Sequence, residues 1–176
     1  MWLLCLRVEF RSCSRKIWIY LKSFVEQRTC RFLNLLLEEL DQEVVALHFH
    51  KSQSLRLSAL HRYKSGQVPI LITTDLGNRG LDIPTVDLVI YYDLPRDTRD
   101  YVHRVGRTAR AGRGGLVLSF VTQNDIKLFI QIEALLGKQL DEFECKENGV
   151  LAEITKVYKA KRVAKMKMVD DGLRRW

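Results

Sequence analysis

The sequence lacks several things that narrow its function. No run of about 18 uncharged apolar residues occurs among its 176 residues, so no membrane-spanning helix is encoded. The opening apolar stretch, Trp2 to Leu6, is only five residues long before Arg7. That falls short of the roughly 7–15 residues of a secretory h-region. Cysteines number four (Cys5, Cys13, Cys30 and Cys145) and show no paired spacing. They therefore read as reduced intracellular thiols rather than a disulfide framework. His48 and His50 stand two apart with no further ligand spacing around them, so they read as packing or turn residues and not as a metal site. Internal repeats and low-complexity segments are also absent.

What remains is 47% apolar and 28% charged residues, enough for one globular domain with a buried core and too short for two large ones. The net charge is +8, which points to an anionic partner. The excess is not spread evenly. Residues 1–31 hold seven basic and two acidic side chains, residues 156–176 hold eight and two, and the middle holds 14 and 17. The run KVYKAKRVAKMK (156–167) carries six cations and no anion. Such a run either holds phosphates through counterion release or is a solvated helix tail.

Apolar runs alternate with helical patterns along the chain. IWIYLKSF (17–24), EVVALHF (43–49), VPILITTD (68–75), VDLVIYYDLP (86–95) and GLVLSFVT (115–122) read as strands, several of them apolar on both faces. Between them, residues 26–40 space Phe32, Leu35, Leu36 and Leu40 at helical intervals, and residues 52–66 form a helix with Ser52 as cap and Gly66 as stop. Residues 97–110 are helical in pattern, and residues 124–140 form a helix capped by Asn124. Tyr91 and Tyr92 close a strand and read as core or edge residues. This alternation implies an open parallel sheet covered by helices. In such sheets ligands bind at the carboxyl ends of the strands, which directs attention to residues 73–82, 93–97 and the loops bounding the helix over 97–110.

Two strings there carry chemistry. HRVGRTARAGR (103–113) holds Arg104, Arg107, Arg110 and Arg113 at a strict spacing of three, with Gly106, Ala109 and Gly112 between them. On a helix this spacing places guanidiniums on overlapping faces, and the small residues let another surface approach. A guanidinium binds phosphate bidentately and stabilises the charge developing on a transferring phosphoryl group. Spacing alone fits equally a set of ion pairs with the sheet-end carboxylates Asp75, Asp82 and Asp93. TTDLGNRGLDIP (73–84) offers the Thr74 hydroxyl and the Asp82 carboxylate just past a strand end, with Gly77 and Gly80 allowing close backbone approach to a phosphate or a sharp turn.

Taken in this order, about twenty residues apart, the two strings resemble motifs V and VI of the C-terminal RecA-like domain of superfamily 2 helicases, specifically the DEAD-box ATP-dependent RNA helicases. Gln53 and Arg56 in SQSLR resemble the Q-x-x-R element of that family. The resemblance covers roughly residues 26–140, and the stretch from Ile83 to Gly115 with the basic tail is most similar to members serving small-ribosomal-subunit assembly. It implies a three-layer RecA-like fold of the P-loop NTPase type, an open parallel sheet with helices on both faces. It implies a domain over 26–145, preceded by a poorly matching segment, 1–25, and followed by a basic extension, 146–176. In roles, it implies that Arg107 and Arg110 reach the γ-phosphate of ATP bound on a partner domain, with Arg110 the arginine finger, and that Asp82 holds the ribose. Gln53, Arg56, Thr74, Gly77 and Gly80 would line or shape an RNA backbone path, and His103 would couple the two domains.

The departures from the family are as clear. No G-x-x-x-x-G-K-[ST] string and no Asp-Glu-Ala-Asp string occurs. The lobe that would hold ATP, Mg²⁺ and the attacking water is therefore expected to be supplied separately, and this chain alone is expected not to hydrolyse ATP. The expected partners are RNA, the N-terminal DEAD-box RecA-like domain and pre-ribosomal proteins, in the nucleus or nucleolus. The competing expectations are a non-catalytic RNA-binding module and a truncated fragment.

Overall fold

A computed structural model describes residues 16–21, 27–48, 51–74, 82–108, 115–143 and 147–170. Among these residues five short strands form one sheet: β1 (Ile17–Leu21), β2 (Val44–Leu47), β3 (Ile70–Thr74), β4 (Leu88–Tyr91) and β5 (Leu116–Ser119). Their order across the sheet is β2-β3-β1-β4-β5, and every pairing is parallel. Five α-helices accompany them: α1 (Gln27–Glu39), α2 (Gln53–Lys64), α3 (Thr98–Val105), α4 (Ile126–Leu136) and α5 (Glu147–Asp170).

Strand side chains alternate between the two faces of the sheet, and both faces are covered. Ile19, Leu21, Val44, Ala46, Ile70, Ile72, Leu88 and Ile90 point into one core with α1 and α5. Trp18, Tyr20, Val45, Leu47, Leu71, Val89 and Tyr91 point into the other, with Ala59, Leu60 and Tyr63 of α2, Tyr101 of α3 and Ile132 of α4. This is the three-layer α/β architecture that the continuous apolar runs predict.

Four local outcomes refine the sequence reading. β1 is the middle strand, paired from Ile17 to Leu21 with β3 and from Ile17 to Tyr20 with β4, although it falls within the segment read as matching the family poorly. The Ser52 hydroxyl caps α2 by accepting from the Leu55 amide at 3.3 Å, and just beyond the helix Gly66 takes φ +78°, where a side chain is disfavoured. Asn124 is not the cap of the last sheet helix. A 3₁₀ turn, Gln123–Asp125, intervenes, and its start is held by the Asp125 carboxylate, which accepts from both the Thr122 amide and hydroxyl, while the Asp125 amide donates to the Thr122 carbonyl at 2.9 Å.

The fourth outcome concerns the basic run. It is not a tail standing off in solvent. Residues 156–167 lie within α5, whose Val157, Ala160, Ala164 and Met168 pack into the core beside α1. Lys156 reaches Asp41 at 3.2 Å and Lys167 pairs with Glu39, bracketing the end of α1. Small residues at 160 and 164 let the two helices approach closely, so the apolar spacing of the run decides its place and its charges occupy the remaining faces.

Candidate functional site

The geometry divides the predicted residues between opposite edges of the sheet. At the carboxyl edge, Thr74 ends β3 and is buried, and neighbouring Thr73 accepts a hydrogen bond at 2.7 Å from the Trp18 indole. The chain leaving β2 enters α2 there, with Gln53 exposed and Arg56 half-buried in its first turn. Lys51, which the sequence reading passed over, stands in the same connection. Burial holds its amine below the usual lysine range, with the cation of Arg31 adding to the effect, while Cys30 and Glu38 oppose it. Its place two residues before Gln53 is the signal that could have marked it.

Asp82 and Arg107 lie at the other edge. Arg107 accepts at its carbonyl from the Val86 amide at 3.1 Å, just before β4 begins. The adjacent Asp87 carboxylate accepts at 2.8 Å from the Lys16 amide, just before β1 begins. The Arg107 guanidinium reaches Asp82 at 3.4 Å, with the two side chains 33% and 76% exposed. Lys64, at the end of α2, lies 3.7 Å from the other oxygen of the same carboxylate. This overturns the expectation that the whole site sits at the carboxyl ends of the strands. The reason is length: α3 has eight residues, or about 12 Å of helix, and β4 has four, or about 13 Å of strand. A helix leaving the carboxyl end of β4 therefore finishes beside the strand's beginning.

The arginine row is also divided. The helix expected over 97–110 runs only from Thr98 to Val105, with Asp97 capping its start by accepting from the Arg99 amide at 2.9 Å. Arg104, still helical, turns inward to 8% exposure. Its guanidinium lies 3.9 Å over the Tyr20 ring and 3.5 Å from Asp100. Arg107, beyond the helix, turns outward to Asp82. The ion-pair alternative, drawn with Asp75, Asp82 and Asp93, thus describes Arg107, which pairs with Asp82 yet stays partly accessible, whereas Arg104 pairs with a carboxylate outside that set, Asp100. His103 is exposed on α3. Gly77, Gly80 and Arg110 lie outside the described residues, as do Asp75 and Arg113.

Under α3 sits a tyrosine cluster that the periodicity did not reveal as support for the site. Tyr91 and Tyr101 stack at 4.4 Å, and Tyr20 meets Tyr91 edge-on at 5.5 Å. The Tyr91 hydroxyl donates to the Tyr101 carbonyl at 2.8 Å, and that of Tyr101 lies 3.1 Å from Ser119. Burial pushes the Tyr91 phenol well above its usual range. Such pairs contribute about 0.5–1.5 kcal/mol each beyond area burial, so α3 is fixed along its inner face.

Comparison with known proteins settles the family. Residues 4–112 match the family described as the helicase conserved C-terminal domain. The fold superposes on the DEAD-box protein SrmB of E. coli, solved bound to RraA, with a TM-score of 0.68 and 30% identity, covering 78% of this chain and 79% of that one. The chain belongs to the helicase conserved C-terminal domain family, in its DEAD-box branch. This helicase domain is 61% identical over 145 residues to DEAD-box ATP-dependent RNA helicase 36 of Arabidopsis thaliana, covering 82% of this chain and 30% of that protein. It is 47% identical over 136 residues to the ATP-dependent rRNA helicase RRP3 of Gibberella zeae, covering 77% of this chain and 28% of that protein. The chain therefore spans less than a third of the length of these two relatives. The family match includes β1 and both strings at 73–84 and 103–112, so the resemblance drawn from those strings is correct at the level of the family.

Proposed function

We propose that this chain is one lobe of an ATP-dependent RNA helicase acting in ribosome biogenesis, in the nucleus or nucleolus. Arg107 and Arg110 supply the arginine fingers, and Asp82 accepts from the ribose hydroxyls of an ATP held, with its Mg²⁺, on a separate DEAD-bearing lobe. Gln53, Arg56 and Thr74, with the turn at Gly77 and Gly80, form half of the RNA path. His103 serves contact between the lobes. The observation that carries this reading is the two-edged arrangement. Asp82 and Arg107 stand together, accessible, at the amino edge, while Gln53, Arg56 and Thr74 stand at the carboxyl edge. A nucleotide cleft and a strand of RNA then need not compete for the same surface.

The chemistry fits the group it would meet. An exposed carboxylate accepts from vicinal hydroxyls, and a guanidinium offers paired donors to phosphate oxygens. Neither residue supplies a nucleophile or a phosphate-cradling loop, so the chain alone does not hydrolyse ATP. Mixed with a DEAD-bearing lobe from a relative, it restores RNA-stimulated hydrolysis. Arg110→Ala lowers that rate by about 10³-fold or more, the range for losing an arginine finger. A complemented rate unchanged by the substitution overturns the assignment. The relatives named as rRNA helicases support a ribosomal RNA substrate.

The outer face of α5 favours a second reading, RNA binding without catalysis. Lys159 and Arg162 are exposed there, opposite the face packed on α1, and Lys161 is exposed on the flank of that face. On that reading RNA affinity falls steeply with salt and ignores ATP.

A further inference from the structure

Asp82 is held by two cations, one on each oxygen. Arg107 Nη1 lies 3.4 Å from Oδ1, and Lys64 Nζ lies 3.7 Å from Oδ2. The two cannot keep these places through a reaction cycle, because a guanidinium that moves to a γ-phosphate must leave the carboxylate. Lys64 has no such second task. It ends α2, and its backbone carbonyl accepts at 3.2 Å from the Lys16 amine, which ties the end of the helix to the residue preceding the middle strand.

We infer that Lys64 is a positioning residue of the nucleotide site: it holds the Asp82 carboxylate towards the ribose once Arg107 has gone to the phosphates. The inference rests on the reading of Asp82 and Arg107 given above. A carboxylate has about four acceptor sites, so one amine on Oδ2 leaves room for the ribose hydroxyls. Without that amine, departure of Arg107 leaves a carboxylate that is 76% exposed with no described cation within ion-pair reach, free to rotate away from the sugar. Lys64 does not touch the phosphates, and its effect falls on the part of the affinity that depends on the ribose hydroxyls.

The test compares ATP with 2′,3′-dideoxy-ATP as substrates of the chain complemented by a DEAD-bearing lobe. Lys64→Met raises KM for ATP about threefold, the equivalent of one partly exposed ion pair. KM for the dideoxy nucleotide stays where it was, so the preference between the two narrows. Lys64→Arg restores the preference, and Asp82→Ala abolishes it. If Asp82→Ala removes the preference while Lys64→Met leaves it intact, or raises both KM values equally, the role of Lys64 is overturned and the ribose reading stands. If Asp82→Ala itself leaves the preference intact, the ribose reading falls and takes the role of Lys64 with it.

Discussion

Replacing Gly115 by alanine should damage both the fold and the arginine that follows α3. A Cβ at Gly115 would lie 2.1 Å from both the carbonyl oxygen and the hydroxyl oxygen of Thr108, and 2.6 Å from its carbonyl carbon. Ordinary contact begins near 3.4 Å, so something must move by more than an ångström. The hydroxyl can rotate away, but the carbonyl cannot. Thr108 is 2% exposed, and its amide donates to the Val105 carbonyl at 3.0 Å. The residue before it is Arg107, whose own carbonyl is held by Val86. Relief therefore displaces either the entry into β5 or the segment carrying the arginine. Overpacking of this kind costs about 1–3 kcal/mol. A domain of this size loses about 2–4 °C in Tm per kcal/mol, and the midpoint of those ranges is a fall of about 6 °C. A displacement of about 1 Å at a catalytic group also costs on the order of 100-fold in rate.

The assay is a circular dichroism melt of Gly115→Ala beside complemented ATP hydrolysis. Gly137→Ala is the comparison. Gly137 takes φ +66° at the end of α4 with open space around its Cβ position, so alanine there strains the backbone and displaces nothing. Both variants lose Tm, and only Gly115→Ala loses the arginine-dependent rate. A Gly115→Ala protein that melts with the parent and complements fully refutes the steric reasoning.

Three further outcomes follow from the packing and charge. Met168→Ala, at a fully buried position of α5, costs about 2–4 kcal/mol in denaturant unfolding; a variant whose stability matches the parent's shows that α5 does not belong to the folding unit. Burial raises the phenols of Tyr63 and Tyr91 above their usual value, so the unfolded chain releases protons above pH ~10 that the folded chain keeps. Stability is therefore intact below pH ~10 and falls above it, by up to about 1.4 kcal/mol per pH unit for each tyrosine, and Tyr91→Phe flattens the fall in a pH series of melts. Neutralising Lys159, Lys161 and Arg162 together reduces the slope of log affinity against log salt for single-stranded RNA by about 0.7 for each phosphate that is no longer neutralised; an unchanged slope excludes the outer face of α5 from RNA.

Much of the fold could be read from the residues because its signals are local. ILITT and LVIY are buried at every position and almost wholly apolar, which is what a strand covered on both faces requires, and Phe32, Leu35, Leu36 and Leu40 repeat at helical spacing on and just beyond α1. What escaped the reading depends on tertiary partners. The five residues IWIYL look like any edge or core strand, and only the pairing with β3 and β4 makes them the middle of the sheet. The run at 156–167 is dominated to the eye by six cations, while the inconspicuous Ala160 and Ala164 are what seat it against α1. Lys64 and Asp82 are separated in sequence by a whole strand, and no periodicity announces that the end of one helix meets a loop beyond the next strand.

The arginine row shows where spacing stops being informative. Arg104 and Arg107 have the same side chain and sit three apart, and on a continuous helix they would project within about 60° of each other. The helix ends between them. Gly106 donates its amide to the Val102 carbonyl at 2.9 Å and closes the last turn, and Arg107 and Thr108 follow as turn residues rather than as another helical turn. Arg104, on the last full turn, is held by the sheet-facing side of α3, where the Tyr20 ring and Asp100 compensate its burial. Arg107 is released towards Asp82. Gly106 itself keeps a right-handed helical backbone, φ −62°, and a Cβ there would meet the carbonyls of Val102 and His103 at an ordinary 3.4 Å, so it is the end of the helix and not a glycine requirement that separates the two arginines. The point at which α3 ends therefore decides which arginine anchors the helix and which one turns to Asp82. It follows that Arg104→Lys should act mainly on stability, through loss of the planar stacking on Tyr20, whereas Arg107→Lys should act mainly on the complemented ATPase rate. Equal effects of the two substitutions on the melt would contradict the division of roles.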